Sequence, residues 1–205
     1  MDNKTKEYYL HCGIKDGWHD KTFADFVNDP DAKKVIINYT RKVGVDTPKF
    51  GLYLWGSNGT GKSHLMNCAF KKFIDKGYKV RIYPMDEIVN MFTSSWYSDA
   101  ERQHLDNILR NVDFLGIDEF GKNVDKDGKP VYLPDLVRRI MEQIIRYRVQ
   151  MHKPLWITSN TDPKLVTDVF SEDIASLLNE AVVAVCVRGS DYRKEIQKDN
   201  KKSLL

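Results

Sequence analysis

The eight residues 56–63, GSNGTGKS, constrain this chain more than any other feature. An apolar run, FGLYLW, precedes them at 50–55. Behind them Leu65, Met66, Ala69, Phe70, Phe73 and Ile74 repeat as an i, i+1, i+4, i+5 stripe, the pattern of a helix with one buried face. A strand that turns through several glycines straight into a helix aims successive backbone N–H groups at a common centre, with the positive end of the helix dipole behind them. That arrangement is an anion cradle, and G-x-x-x-x-G-K-[ST] is the form it takes for nucleotide phosphates. Gly56, Ser57, Asn58, Gly59, Thr60, Gly61, Lys62, Ser63 and His64 are therefore expected to line a nucleotide. Lys62 is expected to reach the β- and γ-phosphates and the Ser63 hydroxyl to ligate Mg²⁺, which makes ATP and Mg²⁺ the expected ligands.

Beyond residue 50, short apolar runs alternate with helical patterns, the signature of an α/β domain with a parallel sheet. Strands are expected at 50–55, 79–83, 113–118, 155–158 and 182–187. Helices are expected from residue 62, with Gly77 stopping the first, over 86–111 in two pieces broken around 94–98, over 133–149 with Pro134 in the first turn, and over 171–180. Residues 121–130 read as a polar surface loop and 193–202 as a short basic helix. The first ~45 residues are less regular. Phe23, Phe26 and Val27 are candidate anchors there, and 31–43 a short helix. The expected organisation is a short N-terminal segment, 1–48, before one nucleotide-binding core, 49–205.

Composition removes other classes. With 41% hydrophobic and 30% charged residues the chain is globular rather than disordered. No apolar run approaches the ~18–20 residues that span a bilayer, and the polar N-terminus lacks a secretory signal, so a cytoplasmic protein without a membrane partner is expected. Cys12, Cys68 and Cys186 are scattered and odd in number, neither a disulfide framework nor a zinc pattern, and His11 beside Cys12 is too little for a metal. A net charge of +3 permits an anionic partner without requiring one.

Two further strand ends complete a hydrolytic site. FLGIDE at 114–119 is an apolar strand ending in two carboxylates. Asp118 is placed to hold Mg²⁺ and Glu119 to accept the proton of an attacking water. LWITSN at 155–160 ends in small polar residues. Ligands of open α/β sheets sit beyond the carboxyl ends of the strands, so Ser159 or Asn160 would lie beside the γ-phosphate and orient the water.

In order along the chain, KTFADF at 21–26, GSNGTGKSHL at 56–65, FLGIDEFG at 114–121, TSN at 158–160 and GSDYR at 189–193 resemble the AAA+ ATPases that load replicative helicases, of the DnaC/DnaI type, and the related IstB transposition ATPases. The resemblance implies a P-loop NTPase of the AAA+/RecA-like kind, with a central parallel five-stranded sheet flanked by helices and a reduced C-terminal lid. It implies an ATPase of DNA replication that forms an ATP-dependent homo-oligomer and meets a replicative helicase, or a host helicase loader, on single-stranded DNA. Asn160 then corresponds to the sensor-1 residue and Arg193 to the sensor-2 arginine. Leu177 stands where the family's trans-acting arginine finger would be. Weak intrinsic hydrolysis follows unless Arg188, Arg138, Arg139, Arg146 or Arg148 substitutes, since such a finger contributes ~10³–10⁵ in rate. Only about twenty residues precede Thr22, against the ~50 of a small domain, so no packed loader domain fits there and Tyr8, Tyr9 and Leu10 are a candidate docking element. A core this short suits a phage- or mobile-element-encoded protein. The alternatives are an IstB-like partner of a transposase and a weakly hydrolysing regulator of a helicase loader or helicase.

The resemblance also places MFTSSWYSDAER, 91–102, where related ATPases line a single-stranded DNA path. Trp96 and Tyr97 would stack on bases, while Arg102, Arg110 and Lys122 would neutralise phosphates. The residues alone leave a second reading equally open, in which Met91, Phe92 and Trp96 pack a helix onto the sheet. The arginines of the 133–149 helix read as a solvated face.

Overall fold

Five strands, β1 (Gly51–Trp55), β2 (Val80–Pro84), β3 (Phe114–Phe120), β4 (Leu155–Ser159) and β5 (Val182–Cys186), form one sheet in the computed structural model, which describes residues 3–95, 98–121, 133–192 and 197. Their order is β2-β3-β4-β1-β5 and all four pairings are parallel. β4 is thus inserted between the strand that feeds the glycine loop and the strand that ends in the carboxylates. The central strands are apolar until their carboxyl ends because both of their faces are covered, as parallel sheets require. Alternation along each strand divides the side chains between two cores. Leu52, Leu54 and Trp156 enter one, and Tyr53, Leu155 and Ile157 the other.

The first core is closed by α2 (Pro30–Lys42) and α3 (Lys62–Asp75), through Ile36, Tyr39, Leu65, Met66, Phe70 and Phe73. The second is closed by α4 (Met85–Ser94), α5 (Asp99–Asn111), α6 (Asp135–Gln150) and α8 (Glu172–Ala181), with the short α7 (Val166–Val169) beside them. The break expected near 94–98 separates α4 from α5. Pro134 is not inside α6 as expected but precedes it, with ψ 146, an extended conformation that sets the helix entry. β3 runs two residues further than expected, to Phe120. Residues 122–130 of the expected loop, and almost all of the basic tail and its lid, lie outside the described residues. No helix among the described residues is long and apolar enough to cross a membrane.

The N-terminal part is more ordered than its sequence suggests. A helix, α1 (Asn3–His11), leads into Cys12 and Ile14, which are fully buried in the first core, and the Ile82 amide donates to the Cys12 carbonyl at 2.9 Å, adding this stretch to the edge of β2. Tyr9 is buried in that core, which removes it from the expected docking element and leaves Tyr8 and Leu10 exposed at 44% and 49%. Phe26 anchors as expected and Phe23 packs partly against the core. Val27 does not, being 66% exposed.

Candidate functional site

The loop after β1 takes its shape from a left-handed residue that starts α3. Gly61 has φ +96, and a Cβ there would lie 2.6 Å from the Phe26 ring, so only glycine lets the chain turn into the helix beneath that side chain. The Lys62 ammonium spans its own loop, donating to the carbonyls of Gly56 at 2.8 Å and Ser57 at 2.7 Å. The Thr60 hydroxyl donates to the Ser57 carbonyl at 3.0 Å and tightens the same turn.

Ser63, at the second position of α3, faces the end of β3. Its hydroxyl donates to Asp118 Oδ1 at 2.8 Å, and the same oxygen accepts the hydroxyl of Thr158 and the Glu119 amide at 3.2 Å. Between Ile117 and Phe120 the strand advances three residues while β4 advances two, from Ile157 to Ser159. This bulge carries Glu119 at φ 58, with its amide also donated to Thr158 Oγ1 at 3.1 Å. In a regular strand adjacent side chains face opposite sides of the sheet. The bulge re-aims one of them, so that Asp118 meets Ser63 while Glu119 lines the same cavity.

That cavity, about 580 Å³, is within the range of small-molecule sites. One wall is the glycine loop from Asn58 to His64, together with Glu119, Thr158, Ser159 and Asn160. The Asn160 side-chain amide donates to Asn58 Oδ1 at 2.8 Å, joining the β4 end to the loop. Ser159 takes the structural role instead, donating to the Phe120 carbonyl at 2.6 Å and accepting the Thr161 amide. The opposite wall is N-terminal and includes Trp18, Lys21, Asp25, Phe26 and Asn28. Sequence reasoning placed none of these in the site. The Thr-Phe pattern at 22–23 marked the segment without indicating that it faces the loop. His64 joins the two walls. Its Nε2 pairs with the Thr22 carbonyl at 2.9 Å, and its ring lies against Trp18 and edge-on to Phe26. Burial holds its pKa below the ordinary histidine value, outweighing the carbonyl contact.

Several expected residues stand elsewhere. Trp96, Tyr97, Lys122 and Arg193 lie outside the described residues, as does the side chain of Arg102. Met91 and Phe92 pack against the second core. The Arg110 guanidinium lies over the Tyr147 ring at 5.0 Å. Arg148 is not on a solvated face. It is 1% exposed and donates to the carbonyls of Leu109, Val112, Asp113 and Pro154 at 3.0, 3.3, 2.9 and 2.8 Å, so it is not available to a neighbouring subunit. Arg138 and Arg146 pair with Asp135 and Glu142 on their own helix. Leu177 packs partly against the second core.

An open parallel sheet with a phosphate-type loop after a central strand, and an acidic strand next but one, defines a P-loop protein of the AAA+ fold. The chain belongs to the AFG1-like ATPase family, whose model matches residues 18–204. It is similar to the replicative helicase loader DnaC of Escherichia coli strain K12, 27% identical over 120 residues that cover 58% of this chain and 46% of that protein. It is also similar to DnaC of Buchnera aphidicola, 23% identical over 183 residues, 77% of this chain and 70% of that one. The chain spans about half the length of the E. coli relative. Among solved structures, the DnaC helicase loader superimposes with a TM-score of 0.72 at 19% identity, covering 85% of this chain and 100% of that one. The replication initiator DnaA bound to AMPPCP and single-stranded DNA superimposes with a TM-score of 0.67 at 18% identity, covering 90% and 55%.

Proposed function

We propose that this chain binds ATP with Mg²⁺ and hydrolyses it to ADP and phosphate as a helicase-loading ATPase of DNA replication. The observation that carries the reading is the cluster at the loop, where Ser63 and Thr158 both donate to Asp118 Oδ1 and Glu119 turns into the adjoining cavity. The donor set fits Mg²⁺, which takes hard oxygen ligands and uses one or two carboxylates together with substrate phosphates rather than an all-protein cage. Ser63 Oγ and Asp118 Oδ1 supply the protein's share, and no group of three His, Cys, Asp or Glu side chains among the described residues offers another site. The ion, when bound, neutralises charge on the β- and γ-phosphate oxygens. Lys62 leaves its loop carbonyls for those phosphates. Glu119 takes the proton of the attacking water as the γ-phosphorus–oxygen bond to ADP breaks, and Asn160 orients that water. Arg193 is assigned to the γ-phosphate by the family resemblance alone.

The similarity to the replicative helicase loader DnaC supports a replicative helicase as partner, whereas single-stranded DNA as the polymer on which the two meet, an ATP-dependent homo-oligomer and a cytoplasmic setting are carried over from the family resemblance alone. A second reading is favoured by Leu177, an apolar residue packed against the core where a finger arginine is expected. In it the chain occupies ATP with little turnover and regulates a helicase or its loader. Light scattering after size exclusion, with the cognate replicative helicase, tests the first reading. A complex that requires ATP and a single-stranded oligonucleotide is expected. Proven ATP binding without any complex sinks the loader reading, and a complex without turnover moves the assignment to the regulator.

A further inference from the structure

A loop that binds phosphate must aim several of its peptide N–H groups inward, and in a trans peptide the carbonyl of such a unit then points the other way. In this chain two consecutive carbonyls of the loop are held by donors from outside the motif. The Gly59 carbonyl accepts the Tyr192 amide at 3.1 Å, and the Thr60 carbonyl accepts the side-chain amide of Asn28 at 3.1 Å. The amides on the opposite edges of those two peptides belong to Thr60 and Gly61, which line the cavity.

Asn28 is well placed to act as a fixed point. Its amide also donates to the Ser190 carbonyl at 3.0 Å. The next residue, Asp29, caps α2 by accepting the Ala32 amide at 3.0 Å and, through its other oxygen, accepts the Arg188 amide at 2.8 Å. Residues 188–192 thus form a strap beside the loop, tied at one end to the head of α2. The strap lies so close that a Cβ on Gly59 would meet Asp191 Oδ1 at 1.8 Å. Gly59, at a free position of the motif, is needed here for contact with the strap as well as for its own turn at φ +74.

We propose that Asn28 is a positioning residue for nucleotide binding: it fixes the 60–61 peptide of the phosphate loop with its N–H toward the phosphates, acting together with the strap 188–192. The proposal rests on the reading of the loop as an ATP site. It requires no contact of Asn28, which itself lines the cavity, with the base, the ribose or the reacting atoms.

Asn28→Asp keeps the shape and turns the donor into a carboxylate facing two carbonyls, while Asn28→Ala removes the donor without adding charge. Affinity for ATP and for inorganic tripolyphosphate is read by displacement of a fluorescent ADP analogue, alongside the urea unfolding midpoint, for wild type, Lys62→Ala and both Asn28 variants. The expected result is a loss of about tenfold or more in Asn28→Asp, smaller in Asn28→Ala, equal for both ligands and with the midpoint little changed. Wild-type affinity in both variants overturns the proposal. So does a loss for ATP that spares tripolyphosphate, which would put Asn28 on the nucleoside. A large midpoint drop in both variants, matching the affinity loss, makes Asn28 merely structural and also overturns it. Wild type that binds neither ligand more tightly than Lys62→Ala does removes the ATP reading itself, and the proposal with it.

Discussion

Thr158→Val isolates the one hydroxyl that joins the two carboxylate residues. Valine keeps the β-branched shape that suits a central strand, and position 158 is 2% exposed, so the replacement fills the same space. Two interactions are lost. The Thr158 hydroxyl no longer donates to Asp118, and the Glu119 amide keeps only its longer bond, 3.2 Å to Asp118 Oδ1. A hydrogen bond to a charged group is worth about 1.5–3 kcal/mol, and the left-handed backbone that Thr158 helps to hold costs ~1–3 kcal/mol. If the first sum is felt where Asp118 and Glu119 act, turnover falls about 10- to 100-fold. Single-turnover hydrolysis measures that rate, and equilibrium binding of an ADP analogue with and without Mg²⁺ measures the ground state. Binding without Mg²⁺ should change by less than about twofold, because Lys62 and the loop amides are untouched. Thr158→Ser restores the hydroxyl and should recover most of the rate. Wild-type turnover in Thr158→Val refutes the reasoning, as does a Mg²⁺-free affinity that falls as steeply as the rate.

Lys62→Ala should weaken ATP binding about 10- to 100-fold by removing a charge-assisted contact, measured by the same displacement assay. Glu119→Gln should leave ATP binding intact while hydrolysis drops ~10²–10⁴-fold, the usual contribution of a general base. Arg148→Met leaves four buried carbonyls without their donor and should cost about 3–5 kcal/mol, a fall of ~6–20 °C in Tm by circular dichroism, with Arg148→Lys between the two. His64 is held below its ordinary pKa by burial, so the native state binds fewer protons than the unfolded chain once the pH falls below about 6.5. Urea midpoints should therefore drop between pH 7.5 and 5.5, and the drop should be shallower in His64→Gln.

The sheet and the phosphate loop were legible because each is written locally. Strands buried on both faces read as continuous apolar runs, and α3 carries its stripe immediately after the glycines. What sequence alone did not carry are contacts made by distant parts of the chain. α1 reads NKTKEYYLH, which buries only Tyr9 and shows no stripe. Asn28 reaches carbonyls 32 and 162 residues away, and nothing near it in sequence indicates either. Arg148 has the same neighbours in sequence as a solvated arginine would have. Only the meeting of α6 with the last turn of α5, the residues after it and the turn before β4 supplies its four carbonyls. The carboxylate pair was visible at 118–119, but the bulge that lets both residues serve one site depends on its register against β4.

One helix fastens both walls of the cavity. α3 begins with Lys62 and Ser63 at the phosphate loop, and on another of its faces His64, Cys68 and Lys71 follow at i, i+4 and i+7. His64 Nε2 pairs with the Thr22 carbonyl, and the Cys68 thiol donates to the Lys21 carbonyl at 3.6 Å. The Lys71 ammonium donates to the carbonyls of Trp18 at 2.6 Å, His19 at 2.9 Å and Lys21. Burial lowers the Lys71 pKa, as the desolvation of a charged ammonium demands, and three carbonyls offset that cost. The segment that carries Trp18 is therefore bonded to the helix whose first turn forms the anion cradle, and the two cannot shift apart without breaking buried hydrogen bonds. Asn28 belongs to the N-terminal wall held in this way, and Glu119, Thr158 and Asn160 to the wall of the phosphate loop.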